Sequence, residues 1–338
     1  DFCLSRGLGD VYKRQVDIRR NILVRKTSEM VEAGILAAIA VLFAILGTYL
    51  PVLGVIFNFL WAVPVAVCGM RNGLRWSIMT LIVAGAVIGS LLGPVQALSV
   101  MAMFGLLGLA LGECMYRGYT PAKTLVYSSA ATFVSILLSM GLAMLVMGTN
   151  PVDIMFSGLE EALNETQGYY RAAGMSEEQI AAAVQSNKDM IELIRLILPG
   201  SLIVCSPIIA FANYMGSRKV LSKMGVAFAP LPPFKNWRVS EYLIWPFALS
   251  MGFMATYPDA PKLAFEIAIN IQTVTSVAFL FQGWAVIYWW LEKNGKPLWL
   301  GAVSVVLALS VQLVSTFIVL LGAFESVFDN RNLKERSL

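Results

Sequence analysis

The feature that most constrains this chain is a succession of long apolar segments separated by short polar, glycine- or proline-containing turns. A helix needs about 20 apolar residues to cross the roughly 30 Å hydrocarbon core of a bilayer. The pattern therefore predicts an all-α fold, a polytopic transmembrane helical bundle of about 8–9 spans. The candidate spans are Val31–Leu50, Val52–Cys68, Ser77–Leu92, Val95–Gly112, Leu125–Met147, Ile191–Met215, Leu243–Tyr257, Leu263–Trp290 and Leu298–Phe324.

The composition supports this class and excludes several others. Of 338 residues, 58% are hydrophobic and 14% are charged, whereas a soluble domain is about 45–50% apolar and about 25% charged. An ordinary cytosolic enzyme and a disordered chain are thereby excluded. The formal net charge of +4 is too small to indicate a polyanionic partner, so no nucleic acid is expected to bind.

Catalytic and metal-binding patterns are missing from the sequence. There is no histidine, the four cysteines form no CxxC pair, and no Walker A, GxSxG or HExxH motif occurs. Histidine is the usual general base at neutral pH and the commonest metal ligand. We therefore expect no catalytic residue, no metal site and no cofactor, and an intramembrane enzyme is the least favoured function.

Basic residues predict the orientation of the spans, because cytoplasmic loops are enriched in Lys and Arg. They cluster before the first span and after the second, fourth, sixth and eighth spans, alternating with nearly uncharged turns. The N-terminus is therefore predicted to be cytoplasmic. Nine spans would place the C-terminus outside, whereas a re-entrant segment among them would place it inside. The basic residues are Arg19, Arg20, Arg25, Lys26, Arg71, Arg75, Arg117, Lys123, Arg218, Lys219, Lys223, Lys235, Arg238, Lys293 and Lys296.

Two long connections interrupt the regular spacing of the spans. The outer connection is net acidic, and Ser176 with Gln179 has the spacing of a capping box at a helix start, so we predict an ordered helical cap. The inner connection contains a Pro-Leu-Pro-Pro sequence that cannot be helical. The predicted organisation is a gene-model artefact over 1–15 resembling translated adapter sequence, a six-span bundle over 16–216 with the acidic loop 148–190, a basic proline-rich loop over 217–242, three further spans over 243–324 and a polar tail over 325–338.

Small residues recur at helical spacing in the first, third and fourth spans. Helices in lipid associate by close backbone packing, which small residues permit. These stripes therefore predict either packing inside the bundle, the favoured interpretation, or a docking face for another membrane subunit. The residues singled out are Ala33, Ala37, Ala40 and Ala44 in the first span, and Gly85, Gly89 and Gly93 in the third.

Polar side chains at membrane depth are candidate functional groups, because burying them in hydrocarbon is costly. In the predicted topology they lie in the outer half of the bundle or near its centre, below the acidic loop. They could bind a small polar solute there, or each could form an ordinary hydrogen bond between helices. The candidate substrate-binding residues are Asn58, Trp61, Gln96, Arg195, Glu266 and Asn270.

Five stretches of the sequence are distinctive: EAGILAAIAVLFAILGTYLP, FNFLWAVPVAVCGMRNGLRW, LPPFKNWRV, NIQTVTSVAFLFQGWAVIYW and LLGAFESVFDNR. They resemble the YybS-like family of uncharacterised bacterial membrane proteins. The first six spans also resemble the substrate-binding S components of energy-coupling factor (ECF) transporters, and Ala33 and Ala37 resemble their docking motif. The resemblance implies a multi-pass protein of the bacterial cytoplasmic membrane, with an S-component-like six-helix core, a coupling transmembrane subunit and ATPases as partners. Three additional spans, the long outer loop and the proline-rich loop depart from that pattern.

Two functions follow from these observations. In the first, the chain is the solute-binding subunit of a transporter, surrounded by membrane lipid and driven by partner ATPases. In the second, it is a structural or regulatory envelope protein that binds other proteins and carries no solute. A polar chamber below residues 148–190 would favour the first function, and a closed apolar bundle would favour the second.

Overall fold

A computed structural model of the chain describes residues 27–228, 231–257 and 261–331, and within these ranges the regular structure is entirely helical. The predicted artefact over residues 1–15 lies outside them. Proline at the first position begins several helices, where its missing N–H costs no hydrogen bond. The helices are α1 Thr27–Tyr49, α2 Leu53–Phe59, α3 Ala62–Asn72, α4 Leu74–Leu92, α5 Pro94–Tyr116, α6 Pro121–Met147, α7 Pro151–Ala172, α8 Glu177–Lys223, α9 Ile244–Thr256, α10 Lys262–Lys293, α11 Trp299–Ser310 and α12 Gln312–Phe328.

The polytopic helical bundle predicted from the sequence is confirmed, with 7 helices in the described ranges long and apolar enough to span a membrane, or up to 8 if a bent pair counts as one span. The bent pair is α11 and α12, which meet at an angle of 119°. The segment Leu243–Tyr257 does not meet the expectation of a span. Its helix α9 has only 13 residues, too few for the about 20 that a bilayer requires.

The chain divides into two compact units. The first contains residues up to Pro151 together with Ser206–Ala229, and the second contains Val152–Cys205 and Pro230–Leu338. The division differs from the sequence-based one, because the first part of α8 groups with the C-terminal helices. The reason is local: Asn270 on α10 is hydrogen-bonded to the α8 backbone at Leu196.

The alanine stripe of α1 is buried within the first unit. Ala33, Ala37, Ala40 and Ala44 are all at most 5% exposed. The carbonyl of Ala40 accepts a hydrogen bond of 2.9 Å from Trp61 Nε1, which ties α1 to the start of α3. The stripe therefore serves packing inside the unit, as the favoured interpretation had it, and leaves little alanine surface for docking.

The glycines in α4 and in the turn that follows it have different structural roles. A Cβ atom at Gly85 would overlap the side chain of Met101, so Gly85 permits the close packing of α4 on α5, whereas one at Gly89 would lie 3.5 Å from Ala97 Cβ, an ordinary contact distance. Gly93 makes no such contact. It has φ +98° and lies in the turn between the two helices, a left-handed conformation that glycine adopts without strain.

The acidic connection forms a helical hairpin, α7 followed by the first part of α8. The predicted capping box is confirmed: Ser176 N donates to Gln179 Oε1 at 3.0 Å, and Gln179 N donates to Ser176 Oγ at 3.3 Å. Helix α8 then continues for 47 residues, roughly 70 Å at 1.5 Å per residue. This length is about twice the thickness of the hydrocarbon core of a bilayer. Several turns of α8 therefore lie outside the hydrocarbon.

The second unit is built on a very close crossing of α10 and α12. A Cβ atom at Gly322 would overlap the carbonyl oxygen of Phe279, and one at Gly283 would overlap the carbonyl oxygen of Ile318. Phe279 is fully buried and packs edge-to-face on Phe247 of α9, with ring centroids 5.2 Å apart. The two glycines thus determine how near the helix axes approach, and α9 covers one side of the crossing.

The proline-rich loop is held on this crossing by buried polar groups. Arg331, whose side chain is 0% exposed, pairs with Glu325 at 2.8 Å and donates to the carbonyl oxygens of Lys235 at 2.6 Å and Trp237 at 3.1 Å. Val239 N donates to Gln282 Oε1 at 2.6 Å. These bonds fix the loop to the second half of α10 and to the turn after α12.

Residues expected in a polar tail therefore have a structural role. Asp329 adopts a left-handed conformation, φ 45°, directly after α12. The turn brings the backbone N–H groups of Asn330 and Arg331 back to the Glu325 carboxylate, at 3.2 and 3.3 Å. Glu325 is 3% exposed, so this carboxylate is neutralised and hydrogen-bonded as a buried charge requires.

Candidate functional site

The six predicted substrate-binding residues are distributed over both units. Asn58, Trp61 and Gln96 belong to the first unit, and the other three, Arg195, Glu266 and Asn270, belong to the second. Each group is therefore considered within its own unit.

In the first unit, two of the predicted residues form hydrogen bonds between helices. Asn58 Nδ2 donates to the carbonyl oxygen of Gly47 at 3.2 Å, and the fully buried Trp61 donates to Ala40 as described above. Gln96 is half-buried near the start of α5. The donor groups of Asn58 and Trp61 thus join α1 to the segment that follows it, which corresponds to the structural alternative considered for them.

In the second unit, the structure brings the other three predicted residues together on one groove. Its volume is about 600 Å³, and its walls come from α8, α9 and α10. Charged and amide groups lie among mainly aliphatic side chains, so the groove is amphipathic. The lining residues are Arg195, Leu196, Pro199, Ile203, Leu243, Pro246, Leu263, Glu266, Ile267, Asn270, Ile271, Val274 and Thr275.

Asn270 holds the two longest walls of this groove together. Its Nδ2 donates to the carbonyl oxygen of Leu196 at 2.8 Å and to that of Glu266 at 2.7 Å, and its Oδ1 accepts from Gly200 N. A Cβ atom at Gly200 would lie 3.0 Å from the Asn270 carbonyl oxygen, so glycine is needed for this approach. Because the amide is engaged on both sides, Asn270 holds α8 and α10 together.

The charged residues of the groove are Arg195 and Glu266. The Arg195 guanidinium lies 4.5 Å from the ring centroid of the fully buried Phe156, a cation–π geometry. The Glu266 carboxylate lies 4.0 Å from Lys262 Nζ one turn away. Within the described part of the chain, no carboxylate forms an ion pair with Arg195.

The aliphatic walls are open on one side. Ile203, Ile267 and Ile271 are 48%, 53% and 38% exposed. In a membrane protein such side chains face hydrocarbon. The groove therefore has an open apolar side, and it differs from the closed polar chamber that a solute carrier of the predicted kind would contain.

A row of buried hydroxyl groups on α6 was not recognised from the sequence. Thr124, Ser128, Thr132 and Ser135 are at most 1% exposed, and the hydroxyl oxygens of Thr124, Ser128 and Ser135 have no hydrogen-bond partner within the part of the chain that the structure describes. Their spacing of i, i+4, i+8 and i+11 places them on one helix face, a pattern that is visible in the sequence. Among the described residues, no group of three or more His, Cys, Asp or Glu side chains is placed to hold a metal ion.

These hydroxyls allow a paired test of buried polarity in the first unit. We expect Ser128→Ala to raise the free energy of unfolding by up to about 1 kcal/mol, because it removes an unpartnered buried hydroxyl. We expect the equally buried Ser77→Ala to lower it by about 1 kcal/mol, because Ser77 Oγ donates to Val65 O at 2.8 Å. Thermal unfolding in detergent measures both variants, and equal losses in the two would contradict the assignment of Ser128 as unpartnered.

Comparison with known proteins identifies the family. Residues 38–326, most of the chain, match the family described as predicted membrane protein DUF2232. The chain belongs to the DUF2232 family. All six predicted site residues and all residues that line the groove lie within the matched part of the chain.

A curated relative supports this assignment. The DUF2232 chain is 19% identical over 309 residues to the uncharacterized protein YybS of Bacillus subtilis (strain 168), and the match covers 91% of this chain and 99% of that protein. The resemblance to the YybS-like family is thereby confirmed. No solved structure matches the chain, and the resemblance of the first six spans to ECF S components stays a prediction.

Proposed function

We propose that this multi-pass membrane protein is a ligand-binding subunit whose site is the groove between α8 and α10. The observation that carries the proposal is that Arg195, Glu266 and Asn270, chosen from the sequence as polar residues at membrane depth, line the same groove. Its aliphatic walls favour a molecule that partitions into the membrane over the small polar solute first considered.

In a multi-pass membrane protein, a ligand-binding site of this kind is suited to transport. It requires an energy source, and the sequence contains no nucleotide-binding motif. A coupling transmembrane subunit with ATPases therefore completes the proposal, in the bacterial cytoplasmic membrane with the N-terminus on the cytoplasmic side. Copurification of an ATPase with the tagged protein from its native membrane is the expected result, and its absence would restrict the role to binding.

Filling the groove tests the binding proposal directly. We expect Ile267→Trp to reduce the amount of hydrophobic ligand that copurifies with the protein by at least about tenfold, because the indole occupies the open side of the groove. The matched control is Ile82→Trp, since Ile82 is 56% and Ile267 is 53% exposed. Native mass spectrometry after extraction in mild detergent measures the bound molecules. Equal ligand content in both variants would refute the groove as the site.

The second candidate function, a structural or regulatory protein that binds partners, is favoured by one observation. The buried Arg331 holds the proline-rich loop in place while Pro232 and Pro233 remain exposed. A rigid proline-containing segment loses little conformational entropy on binding. A photocrosslinking amino acid at Pro232 should capture a specific protein in cells if this function is correct, whereas lipid or self-crosslinks alone would count against it.

A further inference from the structure

We propose that the ligand of this groove is an anionic membrane lipid, with its phosphate at Arg195 and one acyl chain along the aliphatic wall of α10. The inference rests on the proposed function and specifies its ligand. Three properties of the groove carry it: the charge of Arg195, the contact of its guanidinium with an aromatic ring, and the length and exposure of the aliphatic wall.

The charge of Arg195 favours binding of an anion in the groove. Glu266 is compensated by Lys262 at 4.0 Å, and the Asn270 amide is engaged with the α8 backbone. Arg195 is the other charged residue of the groove. Its guanidinium lies beside an aromatic ring and forms no ion pair with a carboxylate in the described ranges. An uncompensated cation beside an apolar groove is stabilised when an anionic group binds there.

The contact of Arg195 with Phe156 suits a phosphate group. The guanidinium carbon lies 4.5 Å from the ring centroid, so cation–π attraction holds the guanidinium near the ring. Among the described residues, its N–H groups have no hydrogen-bond partner, and a guanidinium forms paired hydrogen bonds to phosphate oxygens. A lysine here would retain the charge but lose the paired hydrogen bonds.

The dimensions of the groove fit a lipid acyl chain. Its α10 wall extends from Leu263 to Thr275, roughly 18 Å at 1.5 Å per residue. Because Asn270 within this wall bonds to Leu196, next to Arg195, the wall beyond Arg195 is shorter than this and holds the first part of one acyl chain. One leaflet of the hydrocarbon core is about 15 Å thick, half of the bilayer value. The wall residues Ile203 and Ile267 are open to the surroundings. A membrane lipid can therefore enter sideways, keeping its head group at the level of Arg195 and its chain in the hydrocarbon.

The experiment measures head-group selectivity. The full-length protein is incubated in detergent with equal amounts of phosphatidylglycerol and phosphatidylcholine that carry identical acyl chains, and the bound lipids are counted by native mass spectrometry. We expect the wild type to prefer phosphatidylglycerol by about fivefold, the factor for one basic residue near anionic lipid. Arg195→Gln should abolish the preference. Arg75→Gln, which removes an exposed arginine outside the groove, should retain it.

The outcomes separate the inference from the proposed function. If the wild type binds both lipids equally and Ile267→Trp abolishes both, the groove is the site and the anionic head group is refuted. If Arg195→Gln and Arg75→Gln lose the preference equally, general surface charge explains it and the inference is overturned. If Ile267→Trp binds as much lipid as Ile82→Trp, the proposed function itself fails.

Discussion

Replacing Arg331 by glutamine is expected to lower the free energy of unfolding by about 3–5 kcal/mol, the usual cost of removing one partner of a buried ion pair. The Glu325 carboxylate, whose side chain is 2% exposed, would be left in the interior without its cation. The carbonyl oxygens of Lys235 and Trp237 would lose their donor as well. Thermal unfolding in detergent measures the loss, and limited proteolysis should show cleavage of the proline-rich loop.

Two further variants isolate the cause of this loss. Arg331→Met combined with Glu325→Leu should recover part of the stability, because an apolar pair leaves no buried charge behind. Arg171→Gln removes a guanidinium from an ion pair at the exposed tip of the α7–α8 hairpin, 3.0 Å from Glu177, and should leave the unfolding temperature unchanged. If Arg331→Gln behaves like Arg171→Gln, the pair does not hold the loop.

Replacing Gly322 by alanine is expected to destabilise the second unit by about 3 kcal/mol, at the upper end of the range for overpacking. The added methyl group would overlap the Phe279 carbonyl oxygen and lie 2.8 Å from Gly283 N. Both are backbone atoms that no side-chain rotation can move, so α10 and α12 must separate. The unfolding temperature and the rate of proteolysis in the second unit measure the effect.

Gly252→Ala provides the matched control on a neighbouring helix. Gly252 lies inside α9, where a Cβ atom would meet nothing within 4 Å. Alanine is favoured over glycine in a helix interior by about 0.5–1 kcal/mol, so this variant should be neutral or slightly stabilised. Similar losses in the two variants would show that the close approach at Gly322 does not determine the cost.

The groove and the crossing together indicate how the second unit is organised. Helix α10 contributes its first half to the groove, through Glu266 and Asn270, and its second half to the contact with α12, through Phe279 and Gly283. The groove and the contact with α12 therefore share one helix.

Much of the local structure follows from the sequence. Most of the apolar segments and the capping box at Ser176 were correctly predicted, because each depends on neighbours within one or two helical turns. The short helix α9 and the 119° bend between α11 and α12 were missed. An apolar run shows that a segment avoids water, and hydropathy alone does not reveal where its helix ends or bends.

Long-range partners were decided by the tertiary structure alone. Asn270 bonds to Gly200, 70 residues away, and Arg331 bonds to Lys235, 96 residues away. The sequence showed Arg331 as one charge in a polar tail and Asn270 as one polar residue among six. Helical hydrogen bonds connect residues four apart and can be read from spacing. The burial of a charge and the sharing of a groove depend instead on which helices meet, and only packing determines that.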